Sequence, residues 1–234
     1  MTQGLLLLVA AAATVGFVHS ILGPDHYLPF IVMSKSGQWS LKKTTEITVI
    51  CGLGHVLSSL ALGALGIGLG STLTSLMGIE TVRGDLAALA LIAFGFGYGA
   101  WGLRQALRKK PHTHSHVHER GGAHSHMHVH CDNHAHVHGS TEKMTPWVLF
   151  TIFVLGPCEP AIPLLMAAAQ ISWGGLLLVT GMFGAVTIAT MLTVVLLSVR
   201  GLALLPMHGL SRYMHALAGG TILLSGLAIQ FLGL

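Results

Sequence analysis

Long apolar segments occupy most of this 234-residue sequence, and they constrain its fold more than any other feature. Six of them are each long enough to cross a hydrocarbon layer of about 30 Å as an α-helix. Only 9% of the residues are charged, whereas about a quarter are charged in a typical soluble domain. We therefore exclude a soluble protein and predict an all-α membrane protein. The predicted spans are residues 5–33, 46–69, 86–103, 147–170, 176–199 and 214–234.

The distribution of Lys and Arg predicts how these spans are oriented. The first, third and fifth connections carry most of the basic residues, whereas the second has only Arg83 and the fourth has no charge. Cytoplasmic loops are enriched in Lys and Arg, so we expect the odd-numbered connections in the cytoplasm and both termini outside. This predicts a multi-pass protein of the cell (inner) membrane. Membrane orientation accounts for the net charge of +4, so no nucleic-acid partner is expected.

Two short motifs predict an inverted repeat. LGPDH at residues 22–26 aligns with LGPCE at residues 155–159, and a second proline follows each at a similar offset. Proline removes a backbone N–H, so we expect helices 1 and 4 to be broken at these Gly-Pro steps. The predicted organisation is a three-helix repeat (1–110), a connection (111–145) and a second repeat (146–234). Because each half holds three spans, the second is inverted, and matching interrupted helices favour the midplane site of a secondary transporter.

Several ionisable or metal-binding side chains fall inside the predicted spans. A charged group there costs about 2.5–3.5 kcal/mol on insertion scales, so each is a functional candidate. Imidazole, carboxylate and thiolate ligands together suit Ni²⁺, Co²⁺, Zn²⁺ or copper better than Mg²⁺ or Ca²⁺. Protonation releases a metal from imidazole, which makes protons the candidate counter-ion. The predicted metal ligands are His19, Asp25, His26, His55, Cys158 and Glu159.

Plainer roles stay open for three of these residues. His55 would be structural if it only bonded a carbonyl of a neighbouring helix. Cys158 would be structural if it packed as a small buried apolar residue. Asp25 would be an orienting residue, and not a ligand, if its carboxylate bonded to a histidine ligand instead of the metal. The sequence alone does not choose between these roles.

A histidine-rich tract interrupts the apolar pattern in the third connection. It has little to bury, so we expect it to be disordered without metal and to collect metal at several interchangeable sites. By the charge argument it is cytoplasmic. A pH-responsive loop without metal is the alternative. Eleven of the 16 histidines lie here: His112, His114, His116, His118, His124, His126, His128, His130, His134, His136 and His138.

The sequence HSILGPDH at residues 19–26 resembles a signature of the hydrogenase and urease accessory permeases of the HupE/UreJ type. His19, Gly23, Asp25 and His26 match that signature, and Ser20 replaces its proline. Six spans with a histidine-rich third connection resemble the NicO/RcnA-like nickel and cobalt transporters, and GPCEPAIPLL is similar to UreH-like proteins. The resemblance implies transport of Ni²⁺ or Co²⁺ and a partner in the urease or hydrogenase maturation pathway, and the ligand set also allows Zn²⁺. It favours uptake slightly, and efflux through the same ligands is the alternative.

Two functions of other classes are weighed against transport of a metal. A thiol–disulfide electron carrier similar to the CcdA/DsbD type also has two sets of three spans, but it needs two apposed cysteines. Asp25 stands where Cys158 would need a counterpart, which leaves only Cys51. A sulfite exporter similar to the TauE/SafE-like group needs basic groups or helix N-termini for its anion. No Lys or Arg lies near either break in the sequence. We expect neither enzymatic activity nor a prosthetic group.

Overall fold

The computed structural model describes residues 3–108, 112–117, 123–128, 141–204 and 210–232. Most of these residues are helical. Short 3-10 turns at Pro24–His26 and Ser211–Tyr213 precede α2 and α8. The elements are α1 (Gln3–Leu22), α2 (Leu28–Ser36), α3 (Leu41–Gly68), α4 (Leu73–Arg108), β1 (His112–Val117), β2 (Ala123–His128), α5 (Thr141–Leu155), α6 (Ala161–Ala169), α7 (Trp173–Ala203) and α8 (Met214–Leu232).

Five helices are long and apolar enough to cross a membrane: α1, α3, α4, α7, and α8 counted together with the 3-10 turn before it. A shorter apolar helix covers Pro146–Leu155. Many large apolar side chains on the outside of the bundle are exposed, among them Leu7, Phe96 and Leu197. A continuous apolar exterior suits lipid and would be unfavourable in water. The prediction of a helical, membrane-embedded protein is confirmed at this level.

Two of the predicted spans are each formed by two helices. α1 ends at Leu22, and α2 begins only after the turn Pro24–His26. α5 ends at Leu155, and α6 begins at Ala161. In each interruption proline lacks the N–H that would continue the helical hydrogen bonds. Backbone groups freed in this way need other partners inside a membrane, and Tyr27 supplies one, since its hydroxyl donates to the carbonyl of Ile21 at 3.4 Å.

The third span begins earlier than the sequence predicts. The expected start was residue 86, because Glu80, Arg83 and Asp85 were assigned to a polar connection. α4 instead begins at Leu73, and it includes all three residues. Glu80 is fully buried and forms an ion pair with Arg83, three residues along the same helix. Pairing lets two charges lie within an apolar helix where neither would be stable alone. A count of charges therefore placed the start of this helix 13 residues too late.

The helices of the two halves pack against each other in a reciprocal way. α1 packs mainly on α7, the middle helix of the second half, and α5 packs on α3, the middle helix of the first. The last helices of the two halves, α4 and α8, form the most extensive contact. Small residues permit this contact, because Gly219 of α8 lies directly against Gly95 and Gly99 of α4. A cavity remains where α1 faces α4 and the break between α5 and α6, and α8 contributes Ile229 to its wall.

Two strands lie in the histidine-rich connection. β1 pairs with β2 in antiparallel fashion, with His114 opposite His126 in the register. The predicted disorder of the tract and its metal collection stay predictions. His118, His130, His134, His136 and His138 lie outside the described residues.

Candidate metal centre

Three histidines from different segments meet inside the bundle. His19 lies near the end of α1, His26 in the turn that follows, and His55 near the middle of α3. One ring nitrogen of each lies within 4.8 Å of the others. His26 is the central ring, with its centroid 4.6 Å from that of His19 and 5.0 Å from that of His55. The break in the first span makes this possible, because the turn directs His26 back towards α3.

Hydrogen bonds on one side of the His26 ring fix its orientation. Its Nδ1 lies 3.1 Å from the Asp25 carboxylate and 3.3 Å from the carbonyl oxygen of Gly23. Both partners accept hydrogen bonds, so Nδ1 carries the proton and donates it. The neutral ring then keeps a lone pair on Nε2. That Nε2 atom is buried and has no hydrogen-bond partner, which is the state of a ligand ready to bind a metal.

His55 follows the same arrangement with a different partner. Its Nδ1 lies 3.2 Å from the carbonyl oxygen of Phe153 in α5. In an unbroken helix that carbonyl would accept from residue 157, but Pro157 has no N–H to donate. The Phe153 carbonyl also accepts from the Gly156 N–H at 3.1 Å, and His55 Nδ1–H takes the place of the helical donor that Pro157 lacks. Its Nε2 is also buried without a partner, so two unsatisfied imidazole nitrogens belong to one cluster.

Such a cluster is suited to a borderline divalent metal ion. Buried polar atoms normally have a partner, and an imidazole that donates from one nitrogen to a carboxylate or carbonyl is the usual form of a metal ligand. Transition metals bind imidazole nitrogen at about 2.0–2.1 Å. Ring nitrogens that lie within 4.8 Å of one another would therefore each need to move by about 1 Å towards a shared ion. Imidazole ligands favour zinc, copper, nickel or cobalt over magnesium and calcium.

The cluster opens on the cavity between α1, α4 and the break that separates α5 from α6. The cavity has a volume of about 580 Å³, and all three histidines and Asp25 line it. Most of the remaining wall is apolar or small, including Gly84, Ala88 and Ile229. A metal site needs an entry path as well as ligands, and this cavity provides the space for one.

The remaining predicted site residues occupy three different positions. Asp25 bonds to His26, which is the orienting arrangement that the sequence left open. Cys158 is fully buried, with its Sγ 3.9 Å from Nε2 of His19. It therefore lies at the edge of the cluster and also packs with apolar residues of α6 and α7. The structure does not bring Glu159 into the group of three histidines. Its carboxylate lies instead at Thr81, whose hydroxyl donates to it at 3.2 Å.

The two cysteines considered for thiol chemistry both carry free thiols. Cys51 packs in an apolar cluster with Phe30 and Met191, whereas Cys158 packs in another cluster with Ala12 and Leu165. The structure thus places the two thiols in different parts of the core.

The sequence did not reveal the buried polar network beside the second break. Glu80 and Arg83 bond there to backbone groups of residues 154–158 and to Ser58 and Ser59 of α3. A basic residue therefore does lie near this break in space, although none does in the sequence, and Glu80 balances its charge. An i, i+3 pair of opposite charges inside an apolar stretch was the signal that could have located it.

Comparison of the chain with family models, with curated proteins and with solved structures gives no match.

Proposed function

We propose that the protein is a secondary transporter that carries a divalent transition metal ion, Ni²⁺ or Co²⁺, across the membrane through the site formed by His19, His26 and His55. The observation that carries the proposal is the pair of buried, unpartnered Nε2 atoms of His26 and His55. Both rings donate from Nδ1 to a fixed acceptor, so both present a lone pair to the same small space. The metal is the cargo of this site, and no prosthetic group is required.

The arrangement of the helices supports a transporter built from two inverted repeats. We count six membrane segments by taking each interrupted pair as one: α1 with α2, and α5 with α6. Each half then consists of one broken segment followed by two long helices. The broken segment of each half packs on the middle helix of the other half. A symmetry that relates the two halves requires this reciprocal contact. Repeats of this kind place the substrate at their interface and work by movement of one half against the other.

The site chemistry suits release as well as binding. Neutral imidazole binds a metal ion and protonated imidazole does not, so a pH difference across the membrane would drive exchange of metal for protons. Import and export use the same ligands. We favour import on the resemblance of residues 19–26 to accessory permeases, with both termini outside and the histidine-rich connection in the cytoplasm.

Metal flux into proteoliposomes tests the proposal. Purified protein is reconstituted around a metal-sensitive dye, and Ni²⁺, Co²⁺ or Zn²⁺ is added outside. We expect flux with the wild type and none above that of empty liposomes with His55→Ala, because the variant loses a ligand and leaves the Phe153 carbonyl without its imidazole donor.

The matched control for this assay is His215→Gln. His215 lies on α8 outside the cluster and has its Nδ1 2.7 Å from the Tyr98 hydroxyl; glutamine can keep a polar contact there. This variant should transport at the wild-type rate. A wild-type protein that moves none of the three metals, or a His55→Ala variant that moves them normally, would refute the proposal. Sulfite flux in the same liposomes would favour the exporter alternative.

Removing the histidine-rich connection should leave the core site intact. The three core histidines lie on α1, the following turn and α3, whereas residues 111–140 lie between the end of α4 and the start of α5. We replace residues 111–140 with a short Gly-Ser linker and measure bound metal by elemental analysis. The number of metal ions per chain should fall to one while the affinity of that last ion stays unchanged. Loss of the last ion would place the site in the tract instead.

A further inference from the structure

A buried ion pair lies directly behind the metal centre, at the break between α5 and α6. Glu80 is fully buried, and its partner Arg83 is largely buried. The Ser59 hydroxyl joins both, because it accepts from Nη1 of Arg83 at 3.2 Å and donates to Oε2 of Glu80 at 3.4 Å. Placing two charges in a membrane interior is expensive even when they are paired. The pair lies at the second of the two interrupted spans, against the backbone of residues 154–158.

The pair replaces a missing helical hydrogen bond. In a continuous helix the N–H of Cys158 would donate to the carbonyl of Val154. Here the Cys158 N–H donates to Glu80 at 2.9 Å, and the Val154 carbonyl accepts from Nη2 of Arg83 at 2.7 Å. The ion pair is thus inserted between the donor and the acceptor. Nη2 also donates at 3.3 Å to the Gly156 carbonyl, which lacks a helical donor because Pro160 has no N–H.

The same short backbone segment supports the metal centre. The carbonyl of Phe153 accepts from His55, and the next carbonyl along the chain accepts from Arg83. Cys158, whose N–H is held by Glu80, has its Sγ 3.9 Å from His19. The fit is close, since even a methyl group on Gly156 would come within 3.3 Å of the His55 ring. A shift of this segment therefore moves a histidine orienter and the thiol together.

We propose that Glu80 and Arg83 are positioning residues for the metal centre: they hold the opened backbone at residues 154–158 so that the Phe153 carbonyl orients His55 and Cys158 stays beside His19. This inference rests on the proposed function, because it assigns a role in the same site. Neither residue touches the metal. They act through the backbone, and they connect the break in the second half to α4 of the first.

Two conservative variants test this role with cobalt as the probe. Arg83→Lys keeps the charge but has one nitrogen, which cannot reach Glu80 and two carbonyls in the planar geometry of a guanidinium. Glu80→Gln keeps the size and an oxygen for the Cys158 N–H but removes the charge that balances Arg83. Outer-shell partners typically contribute 10–100-fold to metal affinity, so we expect cobalt to bind about tenfold or more weakly in each variant. The visible spectrum of bound Co²⁺ should also change, since it reports ligand geometry and a general loss of stability would not alter it.

Asp85→Asn is the matched control. It neutralises an acid on the same helix whose carboxylate contacts Gln230 instead of the break, and it should bind cobalt with wild-type affinity and spectrum. Thermal unfolding identifies the variants that fold. If Arg83→Lys and Glu80→Gln do not fold, Ser59→Ala is the substitute test. It removes only the hydroxyl between the two charges and should weaken cobalt binding about two- to tenfold.

Wild-type affinity and spectrum in the folded variants would overturn the positioning role and leave the proposed function standing. A wild-type protein that binds neither Co²⁺ nor Ni²⁺ would overturn both.

Discussion

Replacing His26 with asparagine should abolish tight metal binding at the three-histidine site while the protein stays folded. The asparagine amide can occupy the place of Nδ1 and donate to Asp25 and Gly23, whereas nothing replaces Nε2. His26 is the central ring of the three, because the centroids of His19 and His55 lie 6.3 Å from each other, farther than either lies from His26. Since loss of an outer-shell partner already costs 10–100-fold, loss of this ligand should lower the affinity for Ni²⁺ and Co²⁺ by more than about a hundredfold. Calorimetric titration of the purified variant measures the change.

A graded variant separates ligand loss from loss of orientation. Asp25→Asn leaves all three imidazoles but removes the carboxylate that accepts from His26 at 3.1 Å. An amide oxygen accepts more weakly than a charged oxygen, so we expect the affinity to fall about tenfold. The order wild type, Asp25→Asn, His26→Asn is therefore specific to this geometry. Equal binding by wild type and His26→Asn would show that metal binds elsewhere on the chain.

The first interruption illustrates what a sequence can predict about a site. The spacing of His19 and His26 and the proline between them are local properties, and they indicate two histidines near a bend of one segment. His55 is 29 residues further along the chain. Its place in the site follows from helix packing, which a single sequence does not specify. The sequence could therefore nominate His55 only as a polar residue in an apolar span.

The second interruption shows where such reasoning stops. Cys158 and Glu159 are adjacent in the chain, so the sequence offered both as ligands. In a bent backbone, neighbouring residues point in different directions, and Glu159 contacts Thr81 while Cys158 faces His19. Arg83 was treated as a loop charge because its role depends on carbonyls 71 and 73 residues away. Hydropathy and charge identify membrane segments, but they do not identify which backbone groups need a partner.

The largest effect on stability should come from Gly219→Val, at the contact of α8 with α4. The two backbones touch at this point: a Cβ on Gly219 would overlap the backbone of Gly99 and lie 2.7 Å from the carbonyl oxygen of Gly95. Close packing of small residues is a main source of helix association in a membrane, where water does not drive apolar side chains together. Overpacking a tight contact costs typically 1–3 kcal/mol, and here the obstructing atoms are backbone, so we expect about 3 kcal/mol of destabilisation.

Gly220→Val provides a control with the same chemistry one residue away. A Cβ at Gly220 meets no atom within 4 Å, so this variant should unfold at the wild-type temperature in detergent. The Gly219→Val variant should also bind metal more weakly, because α4 and α8 both line the cavity, through residues such as Ala88 and Ile229. Separation of these helices would therefore change the shape of the cavity. Equal unfolding temperatures for Gly219→Val and Gly220→Val would mean that α4 and α8 are not in direct backbone contact, and the cavity to which both helices contribute would then have a different shape.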